Sequence, residues 1–113
     1  MGYRSDVYMT FHKNLLPFFL AHVNEEQLKT LETDADTYDF FEDNSEWCLI
    51  IFECVKWYGS YEDVRAVESA FSYFQEHSDG EQYQYLRVGE EFDDVEMCGW
   101  ANKFSIDRRV TVY

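Results

Sequence analysis

The sequence predicts an α+β fold, a two-layer sandwich in which two helices cover one face of a mixed, largely antiparallel sheet. Two kinds of periodicity lead to this prediction: stretches in which apolar and polar side chains alternate, and stretches in which apolar side chains recur at helical spacing. The predicted element order is β-α-β-α-β-β-β. With 113 residues, of which 46% are hydrophobic, the chain has the size and apolar content of one domain, residues 1–113.

The chain begins with the pattern of one strand followed by one helix. Apolar and polar side chains alternate over residues 6–12, which is typical of a half-buried strand. Asn14 is a candidate helix cap, and apolar residues then recur at roughly helical spacing up to Leu31. Asn24 is a second candidate cap, so we expect the helix to break near it.

An acidic connector separates this helix from the most apolar part of the chain. Residues 33–45 are rich in acids and aromatic residues, and we expect an irregular path with a short extended piece. Residues 47–58 carry β-branched and aromatic side chains on both faces, which predicts a central strand that ends at Gly59.

The second half of the chain predicts one helix and three strands. Ser60 and Asp63 have the spacing of a capping box, and apolar residues repeat at helical spacing up to His77. The strands are expected over residues 83–89, 95–100 and 104–112, with a turn at residues 101–103 between the last two.

The charge of the chain narrows the classes of partner. There are 23 acidic and 9 basic residues, which gives a formal net charge of −14. Nucleic acid and anionic membrane surfaces would be repelled, so we expect neither as a direct partner, whereas a protein with a basic surface is favoured. Three cysteines without a CxxC pair indicate a reducing compartment, and no apolar run is long enough to span a bilayer.

The sequence carries no pattern typical of catalysis, so we expect a protein without enzymatic activity, cofactor or metal. Cys48 and Cys54 lie in the most apolar segment, where a thiol is usually a packed side chain. The three histidines lack the spacing that places two imidazoles on one metal. The acidic loop at residues 90–96 lacks EF-hand spacing; a solvated turn, a protein-binding surface and a cation site remain alternatives for it.

Two acidic segments form the candidate partner-binding surface. Residues 24–46 hold nine acids and one lysine, and acids are dense again over residues 79–96. We predict that their carboxylates occupy a groove lined by Lys and Arg, as a mimic of nucleic acid, with aromatic side chains as desolvated anchors. The predicted contact residues are Asp34, Asp36, Asp39, Glu42, Asp43, Glu90, Glu91, Asp93 and Asp94, with Tyr38, Phe40 and Phe41 as the anchors. The alternative is that the acids only keep the chain soluble and that the three rings pack inward.

Three blocks of the sequence resemble a family of small bacteriophage and prophage proteins. The blocks are GYRSDV near the start, VKWYGSYEDVRAVESAF at residues 55–71 and YLRVGEEFDDVE at residues 85–96. That family has no settled biochemical activity. The resemblance implies a viral accessory protein made in an infected bacterium, of the anti-CRISPR or anti-restriction kind that blocks a host defence complex.

The predicted function is therefore that of a phage-encoded acidic interaction protein, acting in the cytoplasm of the infected host by contact with a nucleic-acid-handling complex. The alternative is a self-associating accessory or structural phage protein, for example a homodimer held by an apolar edge at residues 104–113. A third class, a small metal-dependent enzyme, would depend on the 90–96 loop with His12 or His77 nearby.

Overall fold

The structure is a computed structural model that describes residues 2–91, 93–101, 104–106 and 110–112, the last two segments by their backbone alone. Three α-helices and a five-stranded sheet form two layers, which confirms the predicted α+β class. Each of the four pairings in this sheet is antiparallel, so the described sheet is not mixed.

The elements follow the predicted order closely in the first two thirds of the chain. The strands are β1 Ser5–Phe11, β2 Thr37–Asp39, β3 Leu49–Val55, β4 Tyr83–Gly89, β5 Val95–Gly99, β6 Phe104–Ile106 and β7 Val110–Val112, and the helices are α1 Leu16–His22, α2 Glu25–Asp34 and α3 Glu62–His77. The strand order in the large sheet is β2-β3-β1-β4-β5, while β6 and β7 pair with each other in a second, two-stranded sheet.

The predicted hairpin between residues 95–100 and 104–112 is wrong. Strand β5 pairs with β4, and residues 104–112 contain two short strands that pair with each other. The reason is the loop between β4 and β5, which closes its own hairpin: the Gly89 N–H donates to the Asp94 carbonyl over 2.8 Å. Of the predicted turn at residues 101–103, only Ala101 lies within the described residues.

Strand β1 is the centre of the sheet, and both of its faces are buried. Tyr8 and Thr10, predicted to be on a solvent face, are only 9% and 2% exposed. The Thr10 hydroxyl donates to the Cys48 carbonyl over 2.6 Å, and Tyr8 packs with Ile51 and Leu86. The prediction of a half-buried strand is wrong, because the positions predicted to face solvent are buried as well. Ile51 of β3 and Leu86 of β4 pack against Tyr8 from the two neighbouring strands.

The main core lies between the helices and one face of the sheet. Phe11 of β1 stacks on Phe19 of α1 with ring centroids 4.6 Å apart, and it contacts Phe71 and Phe74 of α3. Burying a side chain of this size contributes roughly 1.5–3 kcal/mol. Residues of all three helices belong to this one apolar cluster, so the helices cover a single face of the sheet.

The break in the first predicted helix is confirmed at Asn24. Its side chain accepts from the Gln27 N–H over 2.8 Å, and the Gln27 side chain accepts from the Asn24 N–H over 3.0 Å, which is a capping box. The prediction that Asn14 caps the first helix is wrong. A short 3₁₀ turn, Lys13–Leu15, precedes α1, and its cap is His12, whose Nδ1 accepts from the Asn14 N–H.

The capping box predicted at Ser60 and Asp63 is also wrong. Tyr61 is the residue that precedes α3, and its side chain makes no capping hydrogen bond. The helix starts one residue later than that motif requires. Its first turn contains Glu62 and Asp63, whose negative charges favour a helix N-terminus.

Candidate interaction surface

The first acidic segment runs from the end of α2 through β2 into a short 3₁₀ helix, Glu42–Asn44. Strand β2 pairs with β3, with Thr37 opposite Ile51 and Asp39 opposite Leu49. The segment is therefore one edge of the sheet, and strand pairing fixes its backbone.

Two of its carboxylates stabilise the segment itself. The Asp36 carboxylate accepts from the Glu53 N–H over 2.6 Å, and the Asp39 carboxylate accepts from the Glu42 N–H over 3.2 Å. The remaining predicted acids of this segment are exposed: Asp34, Glu42 and Asp43. Those three carboxylates are the ones available to a partner without loss of an internal hydrogen bond.

The turn at residues 41–44 adopts an unusual backbone. Phe41, Asp43 and Asn44 all have left-handed φ angles, of 61°, 54° and 58°. Asp and Asn tolerate this region, whereas for Phe41 it costs about 1–2 kcal/mol. The Phe41 ring packs on Phe11 with centroids 5.5 Å apart, and this contact offsets the cost. The acids of the turn are thus attached to the core through Phe41.

The three predicted aromatic anchors are half-buried and lie against the core. Tyr38 stacks on Phe40 with centroids 5.5 Å apart and planes 9° from parallel, and Phe40 contacts Phe11 and Phe19. Burial raises the pKa of Tyr38 to about 12, so its phenol adds no charge at neutral pH. These contacts are the ones expected if the rings pack inward; whether their exposed parts also meet a partner stays a prediction.

The second acidic segment, the loop between β4 and β5, is organised by Arg87. This side chain is 9% exposed. Its guanidinium donates to Asp94 over 2.6 Å, to Glu96 over 2.9 Å and to the Ser5 hydroxyl over 3.0 Å. The Tyr3 hydroxyl donates to the same Asp94 carboxylate over 2.5 Å. The loop is therefore attached to the start of β1.

The electrostatics of this cluster follow from its hydrogen bonds. The Arg87 guanidinium, with help from the Tyr3 hydroxyl, lowers the pKa of Asp94, and the two carboxylates beside Arg87 raise its own pKa. Arg87 and Asp94 therefore both stay ionised at neutral pH. Asp94 was predicted as a contact residue, and the structure engages its charge internally.

The other acids of the loop differ in their availability. The Glu90 carboxylate accepts from the Arg4 N–H over 3.0 Å, and the Glu91 N–H donates to the Tyr3 hydroxyl. The side chains of Glu91 and Asp93 are exposed. The loop therefore offers fewer uncommitted carboxylates than its sequence suggests.

The two predicted acidic segments do not come together. Strands β2 and β5 are the opposite edges of the five-stranded sheet. Four strand spacings of about 4.8 Å place them roughly 19 Å apart. A single partner must span the width of the sheet or bind at one edge.

The sequence interpretation missed the polar cluster between α3 and the sheet. The Trp57 indole donates to the Tyr85 hydroxyl over 2.9 Å, and Glu68 of α3 lies near enough to Tyr85 to interact with it electrostatically. Burial raises the pKa of Glu68, and the nearby Glu96 adds to the effect. One signal was present: alternation places Arg87 on the same face as Tyr83 and Tyr85, and a buried arginine requires carboxylate partners.

The cysteines differ in exposure. Cys48 is 1% exposed, and burial raises its pKa to about 12, as expected for a packed thiol. The same expectation is wrong for Cys54, which is exposed at a φ of 56° and whose N–H donates to the Asp6 carboxylate. The register between β1 and β3 shifts here, and this bulge turns Cys54 outward.

Within the described residues, no three His, Cys, Asp or Glu side chains gather in a way that would hold a metal ion. His12 lies beside Glu46, and His77 lies beside Glu76. None of the helices in the described part of the chain has the length and apolar character to cross a membrane.

No protein-family model, no curated protein and no solved structure matches this chain. The resemblance to small phage proteins therefore stays a prediction, as do the partner and the absence of catalysis.

Proposed function

We propose that this chain is a phage-encoded interaction protein that inhibits a nucleic-acid-handling defence complex in the cytoplasm of the infected bacterium. In this proposal its carboxylates mimic phosphates and bind a basic surface of the complex, without a chemical reaction. The observation that carries the proposal is the set of exposed acids on a fixed backbone at one sheet edge: Asp34, Glu42 and Asp43.

The acids of this edge have no counter-charge among the side chains that the structure describes. Among residues 2–91 and 93–101, none of the five acids predicted at residues 34–43 takes part in an ion pair. In contrast, Asp94 and Glu96 share Arg87 at the opposite edge. Unpaired carboxylates attract a cationic groove, so the β2 edge is the main contact surface in this proposal.

The fixed backbone of this edge favours binding further. The turn at residues 41–44 is anchored by the Phe41 ring, so little conformational entropy is lost when Glu42 and Asp43 meet a partner. The alternative is that these acids only aid solubility. It predicts no specific partner, and it predicts that neutralising acids at this edge has the same effect on capture as neutralising acids elsewhere.

The test uses two variants with the same change in charge. The first is Asp34→Asn, Glu42→Gln and Asp43→Asn together, in which Asn still tolerates the left-handed φ of position 43. The matched control is Glu25→Gln, Glu62→Gln and Glu76→Gln, which neutralises three exposed acids on helices. Tagged proteins are used for capture from a bacterial lysate, and the captured proteins are identified by mass spectrometry.

We expect a basic nucleic-acid-handling complex to bind at low salt, to elute as salt screens the charges, and to be displaced by duplex DNA or RNA. The first variant should lose most of the capture and the control should retain it. Equal capture by both variants, or capture that nucleic acid does not displace, would contradict the mimic proposal.

Self-association is the second candidate function, and one observation favours it. Strand β5 and the residue that follows it expose apolar side chains: Met97 is 62% exposed and Trp100 is 64% exposed. A dimer that persists at high salt in light scattering would favour this function, because apolar contact does not weaken with screening.

A further inference from the structure

The open edge of the sheet at β5 carries a further inference, which rests on the proposed function and adds a mode of contact to it. We propose that β5 accepts an extended segment of a basic partner protein as an additional strand.

The backbone of β5 pairs with β4 on one side. In the β4–β5 ladder the Gly89 N–H donates to the Asp94 carbonyl, and hydrogen-bonded pairs alternate every second residue along an antiparallel ladder. Glu96 and Cys98 therefore direct their backbone groups towards β4, and Met97 directs its N–H and C=O away from it. No other strand of the described chain pairs with that side.

The opposite edge is less suited to strand addition. Strand β2 has three residues, Thr37–Asp39, whereas β5 has five, Val95–Gly99. Short, charged edge strands disfavour further pairing. Strand β5 is therefore the better template.

The side chains of β5 would be covered by an added strand. Val95 lies opposite Val88 and Met97 lies opposite Leu86, so both are on the sheet face away from the helices. They are 40% and 62% exposed. On this face a row of apolar side chains crosses the strands from Tyr8 of β1 through Leu86 of β4 to Met97 of β5. Met97 is exposed, so apolar residues at alternate positions of an added strand would continue the row.

The charges at the two ends of β5 determine which kind of segment can pair with it. Glu91 and Asp93 are exposed just before β5. At the other end the Trp100 N–H donates to the Gly80 carbonyl over 2.7 Å, which brings the exposed Asp79 and Glu81 to that end. Five strand residues separate the two acidic ends by about 17 Å.

The edge therefore fits a segment with basic residues at both ends and alternating apolar residues between them. A second copy of this chain would bring the same acidic ends to the contact and be repelled. The acidic ends of β5 therefore favour a basic partner over a homodimer at this edge.

The probe is a synthetic peptide with paired lysines at both ends and alternating valine and threonine between them. A control peptide of the same sequence is N-methylated at alternate residues, which keeps the charge and removes the N–H groups needed for pairing. We measure hydrogen exchange of the Met97 amide in the full chain. When the peptide exceeds its Kd tenfold, exchange should slow by about tenfold.

Two substitutions of the exposed Met97 serve as matched variants. Met97→Lys places a cation where the lysine-rich peptide would bind and should weaken binding by tenfold or more, whereas Met97→Leu should retain binding. The proposal is overturned if the N-methylated peptide slows exchange equally, or if the Met97 amide becomes protected by raising the protein concentration alone, which would identify a second copy as the occupant.

The outcomes separate this proposal from the proposed function. Peptide binding without capture of any basic complex leaves the β5 edge standing and contradicts the proposed function. Capture that Met97→Lys does not reduce, together with an unprotected Met97 amide, contradicts the β5 proposal alone.

Discussion

At the scale of single residues, Arg87 connects three parts of the molecule through hydrogen bonds. It contacts Ser5 of β1, Asp94 of the acidic loop and Glu96 of β5. A nearly buried guanidinium with these partners orients the loop that carries four of the nine predicted contact acids. The same contacts remove Asp94 from the charges available to a partner.

Replacing Arg87 should destabilise the fold. In Arg87→Met the two carboxylates lose their counter-charge, and because both are partly exposed we expect a loss of about 2 kcal/mol in the free energy of unfolding. Arg87→Lys should lose less, since it keeps the charge but not the forked geometry. Urea unfolding measures both.

Arg65 provides the control for this experiment, because it is an exposed arginine outside the ion pairs of the described chain. Arg65→Met should change the stability by no more than about 0.5 kcal/mol. Equal effects at the two positions would mean that the Arg87 network adds no stability.

At the scale of elements, α2 depends strongly on its cap. Only Leu31 of this helix is fully buried, so packing contributes less to α2 than to α3. A ten-residue helix is marginal without tertiary support. The capping box formed by Asn24 and Gln27 supplies part of the stability that packing does not provide. Helix α2 leads directly into the acidic β2 edge.

The cap offers a second stability prediction. Asn24→Ala should lower the free energy of unfolding by about 1 kcal/mol, because it leaves the Gln27 N–H without its side-chain acceptor. Asn14→Ala is the matched control, since Asn14 resembled a cap in the sequence but donates to His12 instead. Thermal unfolding followed by circular dichroism compares them; a larger loss in Asn14→Ala would contradict the observed caps.

At the scale of the whole molecule, charge acts on folding and on binding in opposite directions. The formal net charge is −14, and acids at both edges of the sheet repel one another in the folded state. The same repulsion disfavours two copies meeting through these edges. Salt should therefore stabilise the fold while it weakens binding to a basic partner.

This opposition is testable without a partner. We expect the urea midpoint to rise as sodium chloride increases from about 0.01 to 0.15 M, because the Debye length falls from about 30 to 8 Å over that range. A midpoint that falls with salt would mean that attractive ion pairs outweigh the repulsion. A rising midpoint also shows that loss of capture at high salt is not caused by unfolding.

Local pattern made several parts of the fold predictable. The break at Asn24, the apolar strand that became β3 and the long helix α3 depend on side chains within one or two turns, or on alternation along one strand. The burial of Tyr8 and the outward turn of Cys54 were not predictable in this way. The burial of Tyr8 depends on which strands become neighbours of β1. The outward turn of Cys54 depends on a one-residue bulge in the pairing of β1 with β3, which changes the face of the sheet on which a side chain lies.

The candidate surface was predictable to a similar extent. The density of acids in two segments is visible in the sequence, and both segments lie at the surface of the sheet edges. That Asp94 is bound by Arg87, and that Phe40 and Phe41 contact Phe11, depends on residues distant in the chain.

The sequence by itself determined the α+β class, the strong negative charge and the positions of most helices and strands, because periodicity and composition are properties of neighbouring residues. The tertiary structure decided the strand order, the separation of the two acidic segments to opposite edges, and the choice of which carboxylates stay free. These features depend on contacts between residues far apart in the chain, and such contacts leave no local pattern in one sequence.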